Sequence, residues 1–262
     1  MSAFGPGCVK MYLYLVYLYV GIYKEDSTKM KYSLIDGKRG EPKPKLIGEC
    51  PSCGSSMIAR CGEIKVWHWA HKGKRSCDVW WENETEWHRE WKNRFPESWQ
   101  ETVLKDESTG EKHIADVRTE DGFVIEFQYS HINPEEIESR ESFYRRMVWV
   151  LSGTRRKTDY KRFFKGTEDF ITTSQRGVYF VPFPDECFPA SWINRSVPVF
   201  FDFEDAIDAN PWITKNAVWG LLPGRQQGKA IALILSKEDF VKYAVEGNLF
   251  EKLSEINKFS RM

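Results

Sequence analysis

The sequence predicts a mixed α/β protein with a small metal-binding module near its N-terminus. Helix and strand patterns alternate between residues 82 and 151, in the order helix, three strands, helix, strand. Four of the six cysteines lie between Cys50 and Cys77, and such clustering in a chain of 262 residues indicates a metal site rather than a disulfide framework. Because that chemistry needs reduced thiols, we expect a cytoplasmic protein. The formal net charge is zero, which excludes a generic polycation but permits a local basic groove.

Residues 1–29 differ in character from the rest of the chain. Residues 11–23, MYLYLVYLYVGIY, are apolar and rich in Tyr, but the run is shorter than the roughly 20 residues of a membrane span. A basic start and a small-residue cleavage site, which mark a secretory signal, are absent. We interpret residues 1–29 as an extension upstream of the folded chain. The alternative is a membrane-associated tail, and without such a tail we expect no membrane contact.

Residues 50–77, CPSCGSSMIARCGEIKVWHWAHKGKRSC, carry the pattern of a structural zinc site. Cys50-x-x-Cys53 followed by a glycine aims two thiolates at one point, and residues 64–69 are predicted to form a strand that returns to it. Zinc takes four nitrogen or sulfur ligands in a tetrahedron. His71 with Cys77 completes the predicted set; His68 with His71 is the alternative and would need a turn at residues 69–70. Cys61 is predicted to be a spectator.

The stretch from His113 to Gln128, HIADVRTEDGFVIEFQ, predicts two short strands joined by a tight turn. Asp116 lies on the first strand. Glu126 and Gln128 lie on the second, two residues apart, so their side chains share a face. A carboxylate on an otherwise apolar strand is costly to bury without a partner. The expected partners are Asp116 and a divalent cation that prefers oxygen ligands, Mg²⁺ or Mn²⁺.

The length of the turn decides whether the two carboxylates meet. A two-residue loop, Asp121-Gly122, would place Asp116 and Glu126 on opposite faces of the sheet. A three-residue loop, residues 120–122, pairs Thr119 with the residue after the loop and sets Asp116 opposite Glu126. That loop needs a left-handed residue at its last position, where Gly122 stands. We therefore predict the three-residue loop.

Residues 82–95, ENETEWHREWKNRF, predict a helix with Asn83 as its N-cap and a proline after its end. Glu84, His88 and Lys92 are spaced i, i+4, i+8 and would share one helix face. This face either borders the carboxylates of the hairpin or is an ordinary solvated charged face. Residues 99–104 predict the first strand of the sheet.

Several of these motifs resemble one family. Asp116 followed by Glu126-x-Gln128 resembles the active-site pattern of the PD-(D/E)XK nucleases. The longer string IADV…GFVIEFQYSHI resembles the nuclease domain of the competence protein CoiA family, in which Gln commonly replaces the superfamily Lys. The cysteine-rich segment, with its His-aromatic-Ala-His, resembles the zinc-ribbon-like N-terminus of that family. Met30 resembles the usual start of the family's chains, and Arg140 with Tyr144 resembles its Arg…Tyr pair.

The resemblance implies a domain organisation. It covers most of residues 30–165 and separates a non-family N-terminal extension (1–29), a zinc-ribbon-like domain (30–80), a nuclease-like core (81–165) and an accessory C-terminal region (166–262). The implied fold is a restriction-endonuclease-like mixed sheet carrying a zinc ribbon and a C-terminal accessory α/β lobe.

The resemblance also implies a metal-dependent deoxyribonuclease, a hydrolase of DNA phosphodiesters in competence or defence. Asp116 and Glu126 would hold Mg²⁺ or Mn²⁺, with the backbone carbonyl of Phe127 as third ligand. Gln128 would orient the attacking water but supply no positive charge. Glu84, His88 and Lys92 of the predicted helix would border this site. Glu84 would lie near the metal, and His88 and Lys92 would point towards phosphate. The alternative is a non-catalytic DNA-binding or junction-recognising module with a degenerate site.

The second half of the chain carries one further nucleic-acid signal. Asn133 and Pro134 predict a helix start, the helix runs to about Met147, and residues 147–151 predict a buried strand. In residues 154–165, TRRKTDYKRFFK, basic and aromatic side chains are interleaved. This pattern is typical of a DNA-binding segment, and the alternative is a solvated linker helix. Strands predicted at 177–183, 197–203, 216–222 and 230–236 and a helix at 237–253 either extend the nuclease sheet or form the accessory lobe.

Overall fold

The computed structural model describes residues 29–73, 77–80, 82, 84–204, 206 and 215–259. The described chain forms two β-sheets flanked by helices, a mixed α/β architecture as the sequence predicts. The apolar run at 11–23 and the predicted cap Asn83 lie outside the described residues. In the described part, no helix combines the length and apolarity needed to cross a membrane.

A six-stranded antiparallel sheet holds the N-terminal part, in the order β1-β6-β5-β4-β2-β3. Its strands are β1 (Lys29–Met30), β2 (Ser33–Ile35), β3 (Lys38–Gly40), β4 (Ile47–Glu49), β5 (Ser56–Arg60) and β6 (His68–His71). Met30, Met57 and Trp69 form a small apolar core with Cys50. A core this small contributes little stability, so a metal that cross-links the segment has a clear structural role here.

A nine-stranded mixed sheet forms the centre of the molecule, in the order β11-β12-β15-β14-β13-β10-β9-β8-β7. β9, β10 and β13 are parallel, and the other neighbours are antiparallel. The strands are β7 (Gln100–Lys105), β8 (Lys112–Arg118), β9 (Val124–Gln128), β10 (Met147–Ser152), β11 (Ile171–Thr172), β12 (Val178–Val181), β13 (Val199–Asp202), β14 (Ala217–Leu221) and β15 (Ala230–Ser236).

Helices cover both faces of this sheet. They are α1 (Glu86–Lys92), α2 (Pro134–Tyr144), α3 (Lys157–Gly166), α4 (Pro184–Cys187), α5 (Lys237–Val245) and α6 (Leu249–Phe259). On β10, Trp149 belongs to an apolar cluster with Phe163 of α3, whereas Val150 belongs to the opposite cluster with Phe240 of α5. A parallel strand buried on both faces has a continuous apolar sequence, which explains the run MVWVL.

The C-terminal region does not form the separate accessory lobe that we predicted. Its strands extend the central sheet, because β13 pairs with β10 and β14 then pairs with β13. The helix predicted at 237–253 is two helices, since Gly247 adopts a left-handed conformation (φ 71°) that ends α5.

Two further predictions of local structure were wrong. The helix predicted at 82–95 covers only Glu86–Lys92, and its N-cap is Thr85. Glu84 therefore precedes the helix, and the i, i+4, i+8 argument does not apply to it. The strand predicted at 64–69 lies later, at His68–His71, and the segment before it is a loop that joins β5 to β6.

Candidate metal centre and acidic site

Cys50, Cys53, His71 and Cys77 converge on one point, with one ligand atom of each within 4.8 Å of the others. Cys50 Sγ lies 3.6 Å from Cys77 Sγ, and Cys53 Sγ lies 3.4 Å from His71 Nε2. Two sulfurs on a tetrahedral zinc are about 3.8 Å apart, and these two distances are close to that spacing. The predicted ligand set is thus brought together and can hold a structural metal.

The local backbone explains why these thiols converge. Gly54 takes a left-handed conformation (φ 71°), and its N–H donates to Cys50 O at 2.8 Å, which closes the turn between the two cysteines. His68 and His71 lie on opposite faces of β6, as alternation predicts, and His68 Nδ1 instead contacts Val66 O at 2.7 Å. Cys61 lies outside the group.

The electrostatics of the thiols favour a cation. A hydrogen bond from Cys77 lowers the pKa of Cys50 to about 5, whereas the pKa of Cys77 is raised mainly by that same interaction. The two sulfurs therefore share one proton. A divalent metal that displaces this proton would neutralise both thiolates, which is the state that structural zinc requires.

The hairpin turn has the predicted three-residue loop. Thr119 N–H donates to Phe123 O at 2.9 Å, and Gly122 has φ 83°. Val117 pairs with Ile125, so the register places Asp116 opposite Glu126. The prediction that these two carboxylates meet across the hairpin is confirmed.

Asp116 and Glu126 connect β8 and β9 just beyond the last backbone pair of the two strands, Val117–Ile125. The Asp116 N–H donates to Glu126 Oε1 at 3.2 Å, and the Phe127 N–H donates to Asp116 Oδ2 at 2.9 Å. The Asp116 side chain is 24% exposed, whereas that of Glu126 is 2% exposed. Burial and the charge of Asp116 raise the pKa of Glu126 to about 8. The pair thus repels itself, and a cation between the carboxylates would relieve that repulsion.

Glu101 of β7 is a third carboxylate in this row, which the sequence did not reveal. It falls between the pairs Gln100–Val117 and Thr102–Ala115, opposite Asp116. Its φ of 45° is unusual for a residue with a side chain, and conformations of this kind cluster at functional sites. Glu101 Oε1 accepts from the Lys31 N–H at 2.8 Å, so the N-terminal sheet contacts the acidic site directly.

Lys92 lines the cavity of Asp116 and Glu126, and its ammonium group contacts carboxylates. Its Nζ donates to Glu84 Oε2 at 2.6 Å and to Glu101 Oε1 at 2.9 Å, and lies 3.9 Å from Asp116 Oδ1. Burial disfavours the ammonium, but the surrounding carboxylates outweigh burial and raise the pKa of Lys92. Lys92 and Glu84 therefore brace Asp116 as a buried, charged network.

His88 borders the acidic site, as predicted, and two neighbours hold its ring in place. Its Nδ1 lies 2.8 Å from Thr85 Oγ1 in a capping box at the start of α1, and its Nε2 lies 3.3 Å from Glu82 Oε2. Glu82 in turn accepts from the backbone N–H groups of Tyr129 and Ser130, just beyond β9. His88 thus ties α1 to the end of β9, and it also lines the cavity that Asp116 and Glu126 border.

Arg140 of α2 occupies one side of Glu126. Its Nη1 donates to Glu126 Oε2 at 2.8 Å, and its other groups contact Glu136 and the Trp80 carbonyl. A carboxylate has about four lone-pair sites, so this ion pair leaves Glu126 able to bind a cation as well.

Gln128 does not line the cavity formed by Asp116 and Glu126. That cavity has a volume of about 50 Å³, enough for an ion with a few waters. Six carboxyl groups line it, those of Asp78, Glu82, Glu84, Glu101, Asp116 and Glu126. Gln128 instead lines a neighbouring cavity, and its Nε2 donates to Ser130 O at 3.2 Å.

Three acidic residues of this cavity were missed by sequence reasoning, Asp78, Glu82 and Glu101. Asp78 and Glu82 follow Cys77 in an irregular segment, where no periodicity predicts a side-chain direction. The one available signal for Glu101 was an acidic residue within the predicted strand WQETVL.

Comparison with known proteins gives one match. No curated protein and no solved structure matches the chain. Residues 49–80 match the family model of the competence protein CoiA N-terminal domain. The match spans the whole Cys₃His group and ends at Trp80, before the acidic hairpin. It therefore supports the resemblance of this chain to the CoiA-like family.

Proposed function

We propose that this protein is a metal-dependent nuclease that cleaves phosphodiesters of DNA, with a PD-(D/E)XK-type site and a role in competence or defence. The observation that carries this proposal is the in-register pair Asp116–Glu126. Each carboxylate accepts a hydrogen bond from the backbone of the opposite strand, and both border the same cavity. Asp116 and Glu126 would bind Mg²⁺ or Mn²⁺, with the Phe127 carbonyl as third ligand. The metal would activate water and stabilise charge on the phosphate.

Two buried cationic side chains support the carboxylate pair in this proposal. Lys92 and Arg140 fix one carboxylate each, so the pair is held in place before a metal binds. Both Lys92 and Arg140 are buried. The Lys92 ammonium lies 3.9 Å from Asp116, so it does not neutralise the Asp116–Glu126 pair completely. Gln128 has no part in the metal-binding set, since its cavity is a different one.

A non-catalytic DNA-binding or junction-recognising module is the second candidate. It is favoured by one observation: Glu126 already has a cationic partner in Arg140, at 2.8 Å, which would satisfy a degenerate site without a metal. The match to the CoiA N-terminal domain is compatible with both candidates, and it supports a competence-related role.

A cleavage assay separates the two candidates. End-labelled single-stranded, duplex and branched DNA are incubated with the protein and added Mg²⁺, Mn²⁺, Ca²⁺ or no divalent cation. A chelator is omitted, because it would also strip the Cys₃His group. The nuclease predicts cleavage that depends on Mg²⁺ or Mn²⁺. DNA binding that is unaffected by these metals, without cleavage of any form, would favour the module.

A further inference from the structure

A second cavity lies at the carboxyl ends of the parallel strands. Its volume is about 320 Å³, within the usual range for small-molecule sites. Gln128 ends β9, Ser152 ends β10, and Phe203 follows β13, and all three line it. In open α/β sheets, ligands bind in the crevice outside these strand ends.

One buried side chain of this cavity has an unused acceptor. Gln128 is only 5% exposed, and its Oε1 has no hydrogen-bond partner among the described residues. A buried acceptor without a donor is costly, so a ligand that offers an N–H or O–H group would be stabilised here. The amino groups of nucleobases and the hydroxyls of sugars are such donors.

The rim of the cavity is basic. Arg155 and Arg156 are exposed and stand at the start of α3, and Arg162 follows on the same helix. Arg162 Nε has no partner in the described part of the chain, and one carboxylate, Asp159, lies beside it at 3.4 Å. Guanidinium groups bind phosphate through paired hydrogen bonds, and a helix N-terminus adds to that attraction.

The cavity adjoins the acidic site along one strand. Gln128 is two residues beyond Glu126 on β9, a separation of about 6.6 Å, comparable to one nucleotide of an extended strand. Tyr129 lines the cavity and is 36% exposed, which makes its ring available for stacking on a base.

We propose that this cavity binds one unpaired nucleotide of a DNA strand, with its phosphate on Arg155 and Arg156 and its base or sugar hydrogen-bonded to Gln128. The inference rests on the proposed function, since it takes the phosphodiester at Asp116 and Glu126 to be the one adjacent to that nucleotide. It assigns the protein a substrate with at least one unpaired nucleotide, rather than an intact duplex.

The test is a binding titration of the full chain without added divalent cation. The probes are a single-stranded hexanucleotide, deoxyadenosine monophosphate and inorganic phosphate. The variant Arg155→Ala/Arg156→Ala removes two charges at the cavity; the control Lys161→Ala/Lys165→Ala removes two exposed charges from the same helix away from it. We expect the first to weaken hexanucleotide binding about tenfold or more and the control less than about threefold.

Further binding titrations identify the ligand. Gln128→Leu is expected to weaken binding of the mononucleotide and to leave that of inorganic phosphate unchanged. Equal losses in the two double variants, or phosphate bound as tightly as the mononucleotide, would overturn the inference. Binding of the free mononucleotide without the hexanucleotide would assign the cavity to a free nucleotide and overturn it too.

A last variant separates this inference from the proposed function. Without divalent cation, Glu126→Gln is expected to bind the hexanucleotide at least as tightly as the parent, because it removes a negative charge beside the strand and leaves the cavity residues unchanged. If the parent cleaves no DNA while the binding pattern holds, the nuclease proposal fails and the nucleotide site stands. If the parent cleaves DNA and the Arg155→Ala/Arg156→Ala variant binds the hexanucleotide as the parent does, the nuclease proposal stands and the nucleotide site fails.

Discussion

Asp116 and Glu126 hold each other's strand: the Asp116 N–H donates to Glu126 Oε1, and the Phe127 N–H beside Glu126 donates to Asp116 Oδ2. The two side chains thereby replace ladder hydrogen bonds where β8 and β9 separate. Each carboxylate is positioned by the backbone of the opposite strand. A slip of one residue would turn one side chain to the other face and break both bonds. The acidic site therefore depends on the register of the hairpin, and the register depends on the turn.

The first prediction tests that turn. Gly122→Ala introduces a side chain at φ 83°, where the space itself is open because the nearest atom beyond its neighbours is 3.5 Å away. We expect a loss of about 1–2 kcal/mol in the free energy of unfolding, from backbone strain alone. Urea denaturation measures it. Gly62→Ala, at an ordinary φ with open space, is the control. Equal stability of the two variants would contradict the three-residue loop.

The hairpin was the part of the site that the sequence predicted best, because alternation and a required left-handed glycine are local properties. Glu84, His88 and Lys92 line the cavity of the carboxylate pair, as predicted, but their individual contacts were not predicted. Helical spacing gives a shared face, but it does not say that a capping box at Thr85 begins the helix after Glu84. Nor does it say that Lys92 meets Glu101, a residue of another element. Contacts of that kind depend on how elements pack.

The second prediction concerns the Cys₃His group. Cys53→Ser is expected to release one metal ion per chain and to loosen residues 45–80, because the metal closes a local loop around a small core. Elemental analysis measures the metal, and hydrogen exchange measures the loosening. Cys61→Ser, outside the group, should keep its metal. Full metal content in the Cys53 variant would contradict the assignment.

The metal centre and the acidic cavity are closer than the sequence indicated. Asp78 follows Cys77 directly and accepts from the Ile114 N–H at 2.8 Å, two residues before Asp116. We therefore expect that loss of the metal also increases hydrogen exchange around Ile114.

The third prediction concerns the start of the folded chain. Removal of residues 1–28 should leave folding intact, whereas removal of residues 1–32 also deletes β1 and the buried Met30 and Tyr32. The longer deletion removes the backbone donors to Glu101 as well. We expect it to cost about 2–5 kcal/mol in the free energy of unfolding. Thermal unfolding of both proteins measures this. Equal midpoints would show that β1 adds no stability.

The fourth prediction is a pH dependence of metal binding. Burial and Asp116 raise the pKa of Glu126 to about 8 from its ordinary 4.5. Below that pKa a proton must leave before a cation binds, so Mn²⁺ affinity should rise up to about tenfold per pH unit and level off above about pH 8. Without metal, the stability that the protonated group contributes is lost as the pH rises from 4.5 towards 8. Calorimetric titrations from about pH 6 to about pH 9 measure the affinity. Affinity that is independent of pH would contradict the raised pKa.

The accessory region shows where sequence reasoning reached its limit. Four of the five strands described in residues 166–262 were recognised from their apolar runs, and β11 was missed; pairing partners distant in sequence were not predicted. β15 lies between β14 and β12, an order that no local pattern encodes. The choice between a separate lobe and an extended sheet therefore depended on long-range strand pairing.

The most direct test of the proposed activity is cleavage by Glu126→Gln. The substitution preserves size and removes one charge from the Asp116–Glu126 pair, while Glu120→Gln removes an exposed charge from the turn of the same hairpin. With Mn²⁺ and labelled DNA, we predict that Glu126→Gln loses cleavage and Mn²⁺ binding, keeps its fold and binds DNA as well as the parent or slightly better. Glu120→Gln should cleave at the parent rate. A folded Glu126→Gln protein that cuts DNA as fast as the parent would contradict the nuclease assignment at these residues.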